Sequence, residues 1–425
     1  MSTKIIEFDK DKTTHLIVKY TLNKTECVQP ILELYKGKLF SSLLKSFMYN
    51  CISAFGTSIY SVKKSYNRTL TNILSTWIFS LYVNYDYSAD YFFPSNYDNT
   101  ELLENILFDL CKYDNTNTII KVNENINIII TKLKENYKEQ LEKLVGYKNS
   151  LLYKNNKDNY KIKKKKMILK EQIFYKFDFT VNFVIKDTKI INILNNIFIP
   201  LKVYEKMSLN YSGHSEKMDD YIWAIIFRYQ LLGSNNHQLA VLPEIMDKMN
   251  IDYNLNFECF ASSINTMHKN YCSIYYDLEK YFGSVGSFFN MEPIKGTFGF
   301  NPPYQKDIIE LGIHKIFNYL QLNENLIFII TIPIWDSEGK AQMKEQYDNE
   351  LKKQNIDYGD FTIVNKIKSS PYFKYLKMIP KEKFTYVDHN FQLYKNKTIQ
   401  NTYVILLSNC DVDISHLENY VFELN

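Results

Sequence analysis

Apolar residues in the first part of the chain recur at helical spacing, notably from Leu102 to Leu110 and from Ile128 to Leu144. That pattern predicts amphipathic helices with one face turned to a core. A short strand-like pair closes this part, from Phe177 to Ile185 and from Ile190 to Ile199. The texture then changes. Asp220 to Leu232 predicts a buried helix and Pro243 to Met249 a shorter one, while Phe257 to Phe260 reads as a strand running into the small-residue turn Ala261-Ser262-Ser263. Beyond Tyr304, residues Ile308, Ile309, Ile313, Ile316, Phe317 and Leu320 fall on one helical stripe. Leu326 to Ile334 is a nearly unbroken apolar run, the pattern of a strand covered on both faces of a parallel sheet. Strand, turn, strand, loop, helix, strand is α/β alternation. The chain is therefore expected to divide into a mainly helical part, residues 1–195, and an α/β part, residues 196–425. No internal repeat and no long Pro-, Gly- or Ser-rich linker marks the division.

With 425 residues, 45% of them hydrophobic, the chain can bury a sizeable core. Its 35 Tyr and 28 Phe against 12 Gly accompany abundant Asn, Lys and Ile. AT-rich coding sequence, as in a large DNA virus or a protist, produces that bias without any demand for base stacking. The net charge of +4 does not by itself announce a nucleic-acid partner. The one dense basic run, Lys161 to Lys166 with Lys163, Lys164 and Lys165 at its centre, reads either as a solvated helix face or loop or as a contact for polynucleotide phosphates. Cys27, Cys51, Cys111, Cys259, Cys272 and Cys410 are scattered with no paired spacing, so no metal site is expected and the chain reads as a reduced, intracellular protein. No run is long enough to span a bilayer, and the charged N-terminus has no signal-peptide core. A soluble protein is expected, cytoplasmic (including a viral factory) or nuclear.

Asn301-Pro302-Pro303-Tyr304 is the string that carries chemistry. It points to methyl transfer onto the exocyclic amine of adenine, a poor nucleophile whose lone pair is delocalised into the ring. The Asn301 amide oxygen and the Pro302 carbonyl can accept the two amine N–H bonds, which frees the lone pair. The two prolines stiffen the loop and donate no N–H. Tyr304 offers a face on which a purine can stack. Read as bare residues, the same string also fits an ordinary rigid turn after a strand.

The wider context is more specific. Phe257 to Asn265, Tyr271-Cys272-Ser273, Tyr281-Phe282-Gly283-Ser284, Gly296-Thr297-Phe298 and Asn301 to Tyr304 resemble, in order and spacing, the family of the phosphorylated-CTD-interacting factor. These are the cap-specific mRNA adenosine N6-methyltransferases of animals. The likeness continues through Ile330 to Trp335 and is fainter from Ile222 to Leu232, from Lys383 to His389 and from Thr402 to Asn409. It implies a Rossmann-like, S-adenosylmethionine-dependent methyltransferase domain preceded by the mainly α-helical one. Asn301, Pro302, Pro303 and Tyr304 would be catalytic. Glu258, Phe260, Ala261, Ser262 and Asn265 would line the donor pocket, Asp277 or Glu279 would bond the ribose hydroxyls, and Asn290 would read the donor adenine. Trp335 and His389 would flank the substrate, although a capping core Trp fits Trp335 equally. His237 and Gln238 read as a loop or as contacts to the donor carboxylate. The spacing of Trp77, Trp223 and Trp335 predicts no WW domain, and hence no tie to a polymerase tail.

The expected activity is thus RNA adenosine N6-methylation, beside the mRNA cap or at internal adenosines. Two competing readings are an N6-adenine DNA methyltransferase, which would need base flipping and a sizeable basic groove, and a non-catalytic, methyltransferase-like RNA-binding subunit.

Overall fold

The helical spacing from Ile128 to Leu144 is realised in a long helix, whereas Leu102 to Leu110 lies in large part outside the described residues. In the computed structural model the described residues are 2–8, 16–22, 27–55, 66–82, 90–101, 103–104, 106–107, 119–169, 172–185, 189–233, 238–304, 306–333, 363–389, 395–397 and 401–422. A hairpin, β1 (Ser2–Phe8) and β2 (Leu16–Leu22), precedes α1 (Pro30–Phe55), α2 (Tyr66–Leu81) and α3 (Ile119–Asn149). Leu32, Leu39, Leu43 and Phe47 of α1 and Val122, Ile126, Ile129, Leu133, Tyr137 and Leu144 of α3 form the buried stripes. The short α4 (Leu151–Asn156) is capped by Ser150, whose hydroxyl accepts from the Tyr153 N–H at 3.1 Å.

Three antiparallel strands follow: β3 (Tyr160–Leu169), β4 (Gln172–Ile185) and β5 (Lys189–Pro200). The expected strand pair is β4 and β5. The lysine run, expected on a helix face or loop, is instead the edge strand β3, in register with β4 from Tyr160↔Val181 to Leu169↔Gln172. Charged side chains are well suited to an edge because they discourage further strand addition.

The α/β part comprises α5 (Leu201–Asn210), α6 (Met218–Leu232), β6 (Leu239–Val241), α7 (Pro243–Tyr253), β7 (Leu255–Glu258), β8 (Asn270–Tyr271), α8 (Tyr276–Glu279), β9 (Met291–Phe300), α9 (Lys306–Leu322), β10 (Leu326–Pro333), α10 (Ile363–Ser369), β11 (Phe373–Ile379), β12 (Tyr386–Asp388), β13 (Lys395–Lys397), β14 (Thr402–Ser408) and α11 (Ser415–Glu418). The central sheet runs β8-β7-β9-β10-β14-β11. The first four strands are parallel, and β14 is antiparallel to both its neighbours. The first half of β9 extends past this sheet and pairs with β2, so the N-terminal hairpin is part of it. The expected α9 stripe packs on the sheet, with Ile309, Ile313 and Ile316 fully buried. Gly312 of α9 lies directly over the Phe300 ring, where a Cβ would collide.

One apolar core runs across residue 195: it joins α1–α3 to Val203 and Met207 of α5, Ile222, Trp223 and Ile226 of α6, and Ile264, Tyr275 and Ile308 of the α/β part. Buried charges reinforce the junction. Arg228 of α6 bonds Glu33 of α1 (2.6 and 2.8 Å) and Asp277 of α8 (2.6 and 2.8 Å). Lys36 pairs with Glu33 and Asp90, each at 2.9 Å. Burial opposes every charge here, yet the neighbouring cations hold the Glu33 and Asp90 carboxyls below their ordinary range. No described helix is long and apolar enough to cross a membrane.

Candidate active site

The chain leaves β7 for β8 on one side and β9 for β10 on the other, so the carboxyl ends of β7 and β9 diverge. In an open α/β sheet that crevice is where ligands bind. A cavity of about 280 Å³ opens there, and Phe260, Ala261, Ser262, Asn265 and the whole of Asn301 to Tyr304 line it. Two motifs separated by some forty residues of sequence thus meet because β7 and β9 are hydrogen-bonded neighbours.

The turn after β7 holds itself together without glycine. The Asn265 Oδ1 accepts from the Ser262 N–H at 2.7 Å, and the Ser262 carbonyl accepts from the Thr266 N–H at 2.9 Å. From outside, Lys206 of α5 donates to the carbonyls of Ile264 (2.6 Å) and Thr266 (3.0 Å). Burial lowers the Lys206 pKa to about 8. Glu258 closes the same loop: its Oε1 accepts from the Thr266 hydroxyl (2.8 Å) and the N–H groups of Met267 (2.7 Å) and His268 (3.2 Å). Glu258 therefore braces the loop; it does not line this cavity but, with Phe260 and Asn301, lines a smaller one that adjoins it.

At the end of β9, Tyr304 donates its hydroxyl toward the Asn301 Oδ1 at 3.4 Å and is also bonded to the Tyr386 hydroxyl of β12. Tyr386 in turn meets the Thr402 hydroxyl at 3.1 Å. The two tyrosine rings are edge-on, with centroids 6.1 Å apart. Phe260 packs against Phe288 and Phe300 at 5.3 and 5.2 Å, which gives the cavity an aromatic wall.

Several expected contacts lie elsewhere. Asp277 is the ion-pair partner of Arg228, and Glu279 is fully buried beneath the turn, where it accepts from the Ser263 N–H (2.7 Å) and the Tyr229 hydroxyl (3.1 Å). Neither lines the cavity. Burial raises the Glu279 pKa to about 7. Asn290 stands just past the wall formed by Ser287 and Phe288, with its Nδ2 buried and unbonded. His389 is 4% exposed, donates its backbone N–H to the Gln238 carbonyl at 3.1 Å, and has its pKa lowered to about 3 by burial and by the Lys206 cation. It does not line the cavity. Trp335 and His237 fall outside the described residues. Strand alternation splits the lysine run: Lys164 reaches Tyr204 and Asp219 (3.1 Å), while Lys163 and Lys165 stand on the opposite face, and all three are exposed.

Sequence reasoning missed one wall. Asn72, Thr76 and Phe79 of α2 line the cavity, as does Tyr229 of α6; Gln238 before β6, read from the sequence as a loop or a donor contact, lines it too. The only signal for α2 was its spacing of four and three residues, which puts a small polar–aromatic stripe on one helix face.

Residues 201–356 match a family model described as "Phosphorylated CTD interacting factor 1 WW domain". A human protein named mRNA (2'-O-methyladenosine-N(6)-)-methyltransferase is 23% identical over 175 residues, 40% of this chain and 25% of that protein. The mouse protein of the same name is 25% identical over 142 residues, 32% of this chain and 20% of its own length. The matched stretch thus spans a quarter or less of these relatives. The expectation of no WW domain is overturned, because the matching model is itself described as one. Tryptophan spacing was too narrow a criterion: the match is spread over residues 201–356, in which Trp223 and Trp335 are two positions. Over those residues this chain is similar to the phosphorylated CTD interacting factor 1 family, the family its motifs resemble.

Proposed function

We propose that the chain is an S-adenosylmethionine-dependent adenosine N6-methyltransferase that acts on RNA, at the cap-adjacent adenosine or at internal ones. The carrying observation is that Asn301 to Tyr304 stand at the carboxyl end of β9, in the wall of the switch-point cavity. The order β8-β7-β9-β10 with antiparallel β14 inserted before β11 supports a Rossmann-like methyltransferase sheet. The names of the human and mouse relatives favour RNA over DNA.

The residues present fit such a donor. Phe260 and Phe288 offer an apolar, aromatic surface suited to a purine, and the cavity also holds a buried amide with an unbonded N–H, that of Gln238. When bound, S-adenosylmethionine supplies the methyl group. Asn301 presents its amide oxygen, which retains a lone pair beside the long contact from Tyr304. The Pro302 carbonyl is the second acceptor. Together they would hold the adenine amine by both N–H bonds and leave its lone pair free. Tyr304, fixed at its hydroxyl end by Tyr386, keeps a ring face for the base.

The test is tritiated methyl transfer to capped RNA, uncapped RNA and DNA, followed by digestion and nucleoside chromatography. N6-methyladenosine from RNA is expected. Methylated DNA alone, or no product with intact donor binding, would replace the proposal by one of its two competitors. Asn301→Ala should lower the rate by about 100-fold or more, as loss of a polarising contact does, with donor binding retained.

A further inference from the structure

The Tyr304 hydroxyl meets two acceptors, the Asn301 Oδ1 at 3.4 Å and the Tyr386 hydroxyl oxygen, but it carries one proton. Burial keeps that proton on the phenol: it pushes the Tyr304 pKa well above its ordinary range and that of Tyr386 to about 12. At any moment the proton therefore bonds one oxygen or the other. Tyr386 can take it, because its own proton has an acceptor in the Thr402 hydroxyl at 3.1 Å. Tyr304, Tyr386 and Thr402 then form a line of hydroxyls, each donating to the next. The Tyr386 end of that line is held in place. Its side chain is fully buried beside the Phe384 ring, with centroids 4.6 Å apart, and β12 sets it in register with Val241 of β6 and Lys397 of β13.

Resting on the function proposed above, we infer that Tyr386 is a positioning residue for methyl transfer: it draws the Tyr304 proton away from Asn301 and leaves the Asn301 oxygen to the adenine amine. A phenol donating to that oxygen would draw on the same electron density that must polarise the amine, and would crowd its approach. Without the Tyr386 hydroxyl, Asn301 is the remaining acceptor for the Tyr304 proton among the described residues. A buried donor does not stay unbonded when an acceptor is in reach, so the contact to Asn301 would tighten. Tyr386 does not line the cavity, so it acts through Tyr304.

The test is tritiated methyl transfer to one RNA, with kcat and KM measured for wild type, Tyr304→Phe, Tyr386→Phe and the double variant. If Tyr386 only anchored Tyr304, the three variants would be equal, since each removes the same bond. Instead, Tyr386→Phe should fall about fivefold or more below Tyr304→Phe in kcat/KM, the scale of one hydrogen bond misplaced. Removing the Tyr304 hydroxyl as well should restore the rate to the Tyr304→Phe level, a rescue that a merely structural defect would not show. Calorimetry should give an S-adenosylhomocysteine affinity within about twofold of wild type throughout. Thr402→Val carries the test if Tyr386→Phe fails to fold. It takes the acceptor from the Tyr386 proton, which then turns to the Tyr304 oxygen and sends the Tyr304 proton to Asn301; this variant too should be slow and be rescued by Tyr304→Phe. A Tyr386→Phe variant no slower than Tyr304→Phe, or a double variant no faster than Tyr386→Phe, would overturn the positioning role while the methyltransferase reading stands. A wild-type protein that methylates no adenine would overturn that reading and the inference with it.

Discussion

Replacing Asp277 by Asn separates a carboxylate that clamps the fold from one that touches the donor. Arg228 is 1% exposed, and all the Asp277 bonds described go to it, at 2.6 and 2.8 Å. An amide at this position keeps one acceptor oxygen but turns an NH2 group toward a guanidinium N–H. One charge-assisted bond is lost and two donors face each other. Removing one partner from a buried ion pair costs about 3–5 kcal/mol. Glu33 remains bonded to Arg228 and the Asp277 side chain is 16% exposed, so the lower end applies, about 3 kcal/mol. Urea unfolding followed by circular dichroism should show a lower midpoint at unchanged slope. Calorimetry with S-adenosylhomocysteine should give an affinity within about twofold of wild type. Glu33→Gln should behave alike, and the double variant should cost more than the two single changes added, because it leaves one buried guanidinium with no carboxylate partner. An unshifted midpoint with an affinity loss of about tenfold or more would refute the clamp and return Asp277 to the donor ribose.

Tyr304→Phe should slow methyl transfer by only about fivefold, through loss of one hydrogen bond, whereas Tyr304→Ala should lose about tenfold or more with the stacking face; equal rates for the two would show that the ring does not meet the base. Because burial raises the Glu279 pKa to about 7 from an ordinary value near 4.5, its stabilising contribution is full below about pH 4.5 and lost as pH rises through 7, by about 3 kcal/mol in all. Glu279→Gln should remove that slope from urea midpoints measured between about pH 4.5 and 8, and an unchanged slope would assign it to another group. Neutralising exposed Lys163 and Lys165 to Gln should weaken long-RNA binding and flatten its salt dependence by about one or two units of slope. Lys164→Gln should instead lower stability, since it breaks the pairing with Asp219 and Tyr204; an RNA salt slope that stays at the wild-type value in the first variant would leave the run a solvated edge.

What the sequence determined by itself is what short-range chemistry and period can encode. The α9 stripe, the β10 run and the β4–β5 pair stand where the pattern puts them, because burial on one face repeats every few residues. Asn301 to Tyr304 were legible as a candidate site because two prolines and an amide next to an aromatic ring suggest a chemistry, although only the surrounding motifs set them apart from a rigid turn. The turn at Ala261 was legible too, since Ser262 and Asn265 bond each other within one loop. Carboxylate roles were not: Glu258, Asp277 and Glu279 lie near the motif in sequence, but the loop amides, Arg228 and Tyr229 that they meet are set by packing. The run at Lys163 hid a strand because lysines carry no apolar alternation, and only pairing with β4 makes the backbone extended. The pairing of β2 with β9 and the arrival of Asn72 at the cavity join residues separated by hundreds of positions. Such contacts follow from which apolar faces cover one another in three dimensions. Local pattern says that a face is apolar but not what will cover it, and that choice belongs to the tertiary fold.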